Sequence, residues 1–176
     1  MACLINSTIA LDCIDSIGGI KAAYIGVDVN WASFSYDANN MIIGATASPT
    51  ASFYQYELPK DTASFTETFN ISNTNGTAFY DQALTIVLQK LSAEKRNQLL
   101  LLSKNRNIQV IFIDNNDKIW LMGSSRGAVI SAGTSVTGTA PGDANQYSIT
   151  ISAQEPQMAY QVATLGGLNG VTIVTT

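Results

Sequence analysis

Hydrophobic and polar positions alternate with a period of two over most of this chain, the mark of β-strands with one buried face. Residues 64–72 show it most clearly, with Phe65, Glu67, Phe69 and Ile71 set against Thr66, Thr68 and Asn70. Residues 147–153 repeat the pattern and read as a last core strand. Residues 5–14 read as a first strand, Gly18-Gly19 as a turn, and residues 20–29 as a strand apolar on both faces. Asn73-Thr74-Asn75-Gly76 is a turn signal between residues 64–72 and a further strand over residues 79–91, where Leu84-Thr85-Ile86-Val87-Leu88 favours strand over helix. A short strand at Val129-Ile130 and a tail over residues 157–176, ending in a strand over 171–174, complete the β-structure.

One segment breaks the period. Ser92 suits a helix N-cap, Glu94 falls in the first turn, and Lys104 and Arg106 fall near the end, where the helix dipole favours bases. Leu99-Leu100-Leu101-Leu102 spans more than a full turn, so that turn is expected to be buried all round. After the helix comes a hairpin: residues 108–113, the turn Asp114-Asn115-Asn116-Asp117, and residues 118–122, with Asn supplying the positive φ that tight hairpins need. Its arms, Val110-Ile111-Phe112-Ile113 and Ile119-Trp120-Leu121-Met122, are unbroken apolar runs, which need cover on both faces. One helix and a second sheet supply part of that cover, and a neighbouring subunit is expected to supply the rest.

Composition sharpens the picture. The 176 residues suit one domain, and 46% are hydrophobic, which excludes a disordered chain. Only 12% are charged, about half the usual share, and Ser, Thr and Asn (16, 17 and 14 residues) take the place of charge on the surface. Such a surface repels copies of itself weakly. With no histidine, no imidazole-dependent nucleophile and no imidazole metal site can form. A net charge of −4 argues against a protein that grips nucleic-acid phosphates. The charges are also segregated: residues 1–89 are net acidic, residues 90–126 net basic, and residues 127–176 acidic again. No signal peptide or bilayer-spanning stretch is expected. Cys3 and Cys13 are expected as structural thiols rather than as a disulfide or half a metal site.

Short motifs yield no enzyme. Gly123-Ser124-Ser125-Arg126-Gly127 matches a nucleophile elbow but has no histidine base, and Ser92-Ala93-Glu94-Lys95 is explained by helix capping. Asp114-Asn115-Asn116-Asp117 lacks the glycine of a calcium loop, and Gly166-Gly167-Leu168-Asn169-Gly170 lacks the setting of a phosphate loop. The sequons at Asn6, Asn70 and Asn75 are expected by chance in a chain this rich in Asn, Ser and Thr. The bases Lys90, Lys95, Arg96, Lys104 and Arg106 suit a solvated helix face or an acidic neighbouring surface. Residues 31–59 are rich in aromatic and apolar side chains and have the mix found in contact surfaces. Trp31, Phe34, Tyr36, Met41, Ile42, Ile43, Phe53, Tyr54 and Tyr56 are therefore the candidate subunit-interface residues, with Met41-Ile42-Ile43-Gly44 in a projecting hairpin. Removing residues 39–48 is expected to abolish assembly and leave the fold intact. The competing reading is a monomeric carbohydrate-binding β-sandwich that offers those rings to glycans.

Three blocks together resemble the tail-tube-like, ring-forming structural proteins of tailed bacteriophages, above all those of crAss-like and related Bacteroides phages. They are the run from Asp12-Cys13-Ile14-Asp15 to Ala22-Ala23-Tyr24, the strand–helix–hairpin of residues 65–122, and residues 138–156 with Gly142-Asp143, Tyr147-Ser148-Ile149-Thr150-Ile151 and Glu155-Pro156. Order and spacing carry the resemblance. It implies a mainly β fold, an antiparallel β-sandwich or barrel flanked by one α-helix, with residues 31–59 as a projecting arm. It further implies a non-enzymatic virion protein, assembled in the host cytoplasm into rings of six or twelve in the tail or neck. Its partners would be itself, neighbouring tail or portal proteins, and double-stranded DNA that passes through unheld, with no cofactor.

Overall fold

The computed structural model describes residues 8–11 and 13–175. Among them are eleven strands, one α-helix and a short 3-10 turn: β1 (Ile20–Val27), β2 (Trp31–Tyr36), β3 (Ile42–Tyr56), β4 (Ser64–Ser72), β5 (Thr77–Gln89), α1 (Ala93–Lys104), β6 (Ile108–Asp114), β7 (Ile119–Met122), β8 (Ala128–Val136), β9 (Gln146–Glu155), β10 (Tyr160–Val162), the turn Leu165–Gly167, and β11 (Leu168–Val174). The fold is mainly β with one flanking helix. The expected strands over residues 20–29, 64–72, 79–91 and 147–153, the helix and the hairpin are all present within a few residues.

Five strands close into a small barrel in the order β1, β3, β10, β7, β6 and back to β1. Most pairings are antiparallel, but β10 and β11 both run parallel to β3, so the sheet is mixed. On one edge β3 pairs first with β2 as far as Ala47 and then with β1 from Phe53. Pro49, which has no N–H for a ladder, falls between the two. Beyond the barrel β8, β9, β5 and β4 form a second layer, joined to β6 only through the pair Ile108 and Ala128.

Two cores result, and one wall divides them. Tyr24, Ile42, Ala45, Phe53, Ile111, Leu121, Val162 and Leu168 fill the barrel. Ala23, Ile25, Val110, Phe112, Met122, Leu84, Ile86, Ile149 and Ile151 pack between the outside of the barrel and the second layer. Alternation along a strand sends Ile111 inward and Val110 and Phe112 outward, and both directions are apolar. Close packing in the barrel demands a glycine at Gly26, opposite Phe53: a Cβ there would lie 2.9 Å from the Phe53 ring.

Several expectations are corrected. The unbroken runs of the hairpin need no neighbour: Val110, Ile111, Phe112, Leu121 and Met122 are buried, and Trp120 and Ile119 pack against one core each, all within one chain. Residues 31–59 are not a projecting arm. β2 and β3 form a hairpin whose second strand is a barrel stave, and only the turn around residues 37–41 stands clear. Removing residues 39–48 would delete Ile42, Ala45 and Ala47 from the core, so that deletion is now expected to unfold the protein. The described part of residues 5–14 is irregular and exposed rather than a strand, and the rest lies outside the described residues. Asp117, not an asparagine, takes the positive φ of the β6–β7 turn, at 60°. Val129-Ile130 lies in a longer strand, β8. Finally, the leucine turn of α1 is not buried all round: Leu102 is buried, but Leu100 and Leu101 are 42% and 53% exposed.

Candidate functional site

The nine candidate interface residues divide into groups that the fold keeps apart. Ile42 and Phe53 are wholly buried in the barrel core and cannot meet a partner, a correction that follows from β3 being an inner stave. Trp31 and Phe34 are partly buried against the same core, their ring centroids 5.3 Å apart. The Trp31 indole N–H donates to Gln109 Oε1, and Gln109 Nε2 donates to the Val29 carbonyl at 3.0 Å, so a buried amide is satisfied at the barrel end. Met41 is half-buried in the β2–β3 turn, where its N–H donates to Asp37 Oδ1 at 2.8 Å. Tyr36 and Ile43 are exposed near the start of β3, with Tyr36 beside Tyr160. Burial first, and then that neighbour, raises the Tyr36 phenol above its ordinary pKa. Tyr54 is 56% exposed at the far end of β3, and Tyr56 beside it packs on the second core, where burial raises its phenol. Phe53 is turned inward, whereas the half-buried Trp31 and Phe34 belong to a row of ring contacts that continues through the exposed Tyr36 to Tyr160.

Tyr54 and Tyr56 line a concavity beside α1. A groove of about 880 Å³ runs between α1 and the wall made by β1 and the end of β3. Val27, Tyr54, Leu58, Leu88 and Leu101 give it apolar sides, and Glu57, Glu94 and Lys95 lie on its lining. The helix forms because Ser92 caps it, its Oγ accepting from the Lys95 N–H at 3.2 Å, and because Glu94 and Lys104 complement its dipole. It rests on the body through Leu102 and Leu99, with its nearest strand β8, and a smaller groove of about 300 Å³ opens on its other flank beside Ile130 and Tyr147. The helix therefore stands off the barrel with apolar side chains uncovered on both sides.

A polar constellation lies at the opposite margin of the second layer. Gln82, on β5, donates to Glu67 Oε1 at 3.0 Å and accepts the Gly123 N–H at 3.2 Å. Glu67 Oε1 also takes the Ala159 N–H at 2.8 Å. Glu155, at the end of β9 and buried, accepts from the N–H groups of Ser125 (3.2 Å) and Arg126 (2.8 Å). Burial raises its pKa, against the pull of those N–H groups and of the Arg126 charge. These carboxylates are used in holding the loop of residues 123–127 and the chain after β9, and neither lines the groove beside α1. They fasten the barrel to the second layer. A signal for them was present in the sequence: Gln82 and Glu155 interrupt strands whose inward positions are otherwise apolar. The Gly123-Ser124-Ser125-Arg126-Gly127 motif is a loop between β7 and β8 rather than a strand-to-helix turn.

The remaining candidates are placed as follows. Asp114 in the hairpin turn accepts from the N–H groups of Asn116 and Lys118 at 2.8 Å each, so its carboxylate organises the turn. Among the described residues no group of three or more acidic or thiol side chains could hold a metal. Cys13 is exposed and free, not a buried structural thiol, because the described residues around it are themselves exposed; Cys3 lies outside the described residues. Ile9, Leu11 and Ile14 are 99%, 101% and 107% exposed and Ile17 63%. No family model, no curated protein and no solved structure matches the chain.

Proposed function

We propose that this chain is a non-enzymatic structural protein of a phage virion, forming a homo-oligomeric ring of six or twelve copies in a tail or neck. The observation that carries the reading is the apolar surface that one chain leaves uncovered at two separate places, the segment of residues 8–17 and the flanks of α1. Fully burying an Ile or Leu side chain is worth about 1.5–3 kcal/mol, so a second copy that covers several of them gains substantially. The reading no longer draws support from the β6–β7 hairpin, which is sealed within its own chain. The resemblance of the three sequence blocks to tail-tube-like proteins is what gives the ring its setting. The low charge and net acidity suit a conduit, because an inner wall without clustered Lys and Arg lets DNA slide. The ring's other neighbours would be further tail or portal proteins, and its assembly would take place in the host cytoplasm before the virion is complete.

The test is the mass of the purified protein in solution across a range of concentrations, with electron microscopy of whatever assembles. Hexamers, dodecamers or stacked rings with a central opening are expected. A strict monomer at every concentration overturns the reading. So does binding of duplex DNA tighter than about 1 μM at physiological salt, since a wall that grips phosphates in this way would impede passage.

A further inference from the structure

The chain contains the dipeptide Asn-Gly twice, at Asn75-Gly76 and at Asn169-Gly170, and the fold treats the two differently. Asparagine followed by glycine is the pair best suited to react with itself, because a residue without a side chain lets its backbone nitrogen come close to the asparagine side-chain carbon. We propose that Asn75 is a self-modifying site, converting without an enzyme into an acidic residue, while the barrel holds Asn169 unreactive. In the first step the Gly76 nitrogen gives up its proton and bonds to Asn75 Cγ. The bond from Cγ to the side-chain nitrogen breaks, and that nitrogen leaves with the proton as ammonia. Water then opens the cyclic imide at either carbonyl, giving aspartate or its β-linked isomer. This chemistry is independent of whether copies assemble into a ring.

Placement separates the two sites. Beyond the rung between Tyr80 and Glu155, β4 and β5 pair only with each other, and residues 73–76 form the tip of their hairpin. Asn75 and Gly76 are both exposed, and a Cβ at Gly76 would have no atom within 4 Å beyond its chain neighbours, so the backbone there has room to turn. The Asn75 N–H donates to Ser72 Oγ at 3.3 Å, but its side-chain amide has no partner among the described residues. Asn169, by contrast, is fixed on both sides. It pairs with Thr46, and after the irregularity at Gly170 the ladder with β3 resumes at Val171 opposite Ala51. Gly170 takes a φ of 71° and packs so closely on Ala47 that a Cβ would lie 2.5 Å from its carbonyl oxygen. Closing the imide at Asn169 needs the peptide between the two residues to rotate, which pulls Gly170 from Ala47 and disturbs the rungs around it. That rotation waits for local opening of β11, whereas the tip can turn in place. Charge is what changes. Residues 69–80 contain no charged side chain, so conversion sets a new carboxylate on the hairpin that carries the exposed Phe69 and Ile71, and takes the net charge of −4 one unit lower.

The test holds the purified full-length protein at mildly alkaline pH and samples it over time. Each sample is digested at low pH, where the reaction stops, and the peptides around Asn75 and Asn169 are resolved by mass spectrometry. An acidic product is expected at Asn75, with more of the β-linked isomer than of aspartate. Conversion at Asn169 is expected to be slower by roughly tenfold or more, since that site must first open a paired strand. In strong denaturant the two rates are expected to converge. Equal rates in the folded protein overturn the inference, as does faster conversion at Asn169. A difference that persists unchanged in denaturant also overturns it, because local sequence rather than the fold is then responsible. Asn75→Gln lengthens an unbonded, exposed side chain and closes the imide far more slowly. It should leave thermal unfolding in place and remove the acidic species that ion exchange separates from fresh protein; persistence of that species in N75Q sinks the assignment to Asn75.

Discussion

Val110-Ile111-Phe112-Ile113 in β6 and Leu99-Leu100-Leu101-Leu102 in α1 are apolar runs of equal length, yet they end in different surroundings. The strand run is sealed: Val110 and Ile111 are fully buried and Phe112 is 2% exposed. The helix run is not, with Leu102 covered and Leu100 and Leu101 open. The difference lies in what each element divides. β6 is a wall with a core on each side, so both of its faces are used. α1 lies on the outside of the second core and offers it one stripe, which leaves the rest of its circumference to be covered by something else. An unbroken apolar run requires two covered faces, but it does not say whether the cover comes from the same chain.

Substitutions can break or sharpen this contrast. Phe112→Ala, on the sealed side, should cost about 3–5 kcal/mol in chemical denaturation, because the ring is held between both layers and leaves a cavity; a loss comparable to a surface change would mean that the wall is not the shared core described. Glu155→Ala removes the acceptor for the Ser125 and Arg126 N–H groups and should cost about 1–3 kcal/mol. Helix-cap loss through Ser92→Ala should cost about 1 kcal/mol, read by the same unfolding curve. Leu101→Ala, on the open side, should change monomer stability by no more than about 0.5 kcal/mol. A larger loss there would show that the helix is better covered by its own chain than its exposure indicates.

Acid titration separates two carboxylates of opposite sign. Asp143 is held below its ordinary pKa by the N–H groups of Ala140 and Thr139 and by the Thr139 hydroxyl. Its contribution is present above the ordinary aspartate range and is lost as pH falls through the lowered folded value. Glu155 is raised, so its contribution is complete below the ordinary glutamate value and is lost as pH rises through the raised one. Removing each in turn and following stability from pH 7 downward should therefore tilt the pH profile in opposite directions, and tilts of the same sign would contradict the hydrogen bonding described.

Most strands were legible because alternation is local. β4 matches the expected residues 64–72, and β1, β5, β6 and β9 agree to within two or three residues. The α1 cap was legible for the same reason, since Ser92 and Lys95 are neighbours in sequence. What was not legible depends on closure. Nothing local tells that β1 pairs with both β3 and β6, and without that closure the barrel interior is unknown and Ile42 and Phe53 look like surface residues in an aromatic segment. The strand expected over residues 5–14 failed in the opposite direction. Its isoleucines and leucine suggested a strand, but a strand needs an edge to join, and the described residues of this stretch pair with none. Of the nine candidate residues only Tyr54 and Tyr56 line the groove, because Trp31, Phe34 and Tyr36 lie on β2, Met41 in the turn after it, and Ile42, Ile43 and Phe53 elsewhere along β3.

The single backbone pair between Ile108 and Ala128 has a mechanical consequence. A full ladder along β6 and β8 would lock the barrel and the outer layer at one angle, since tilting would break its rungs together. With a single rung, the two layers are held instead by the packing of Val110, Phe112, Leu84, Ile86 and Ile151 and by the bonds of Gln82 and Glu155 to the loop of residues 123–127, so their relative angle is set by side chains rather than by a backbone ladder.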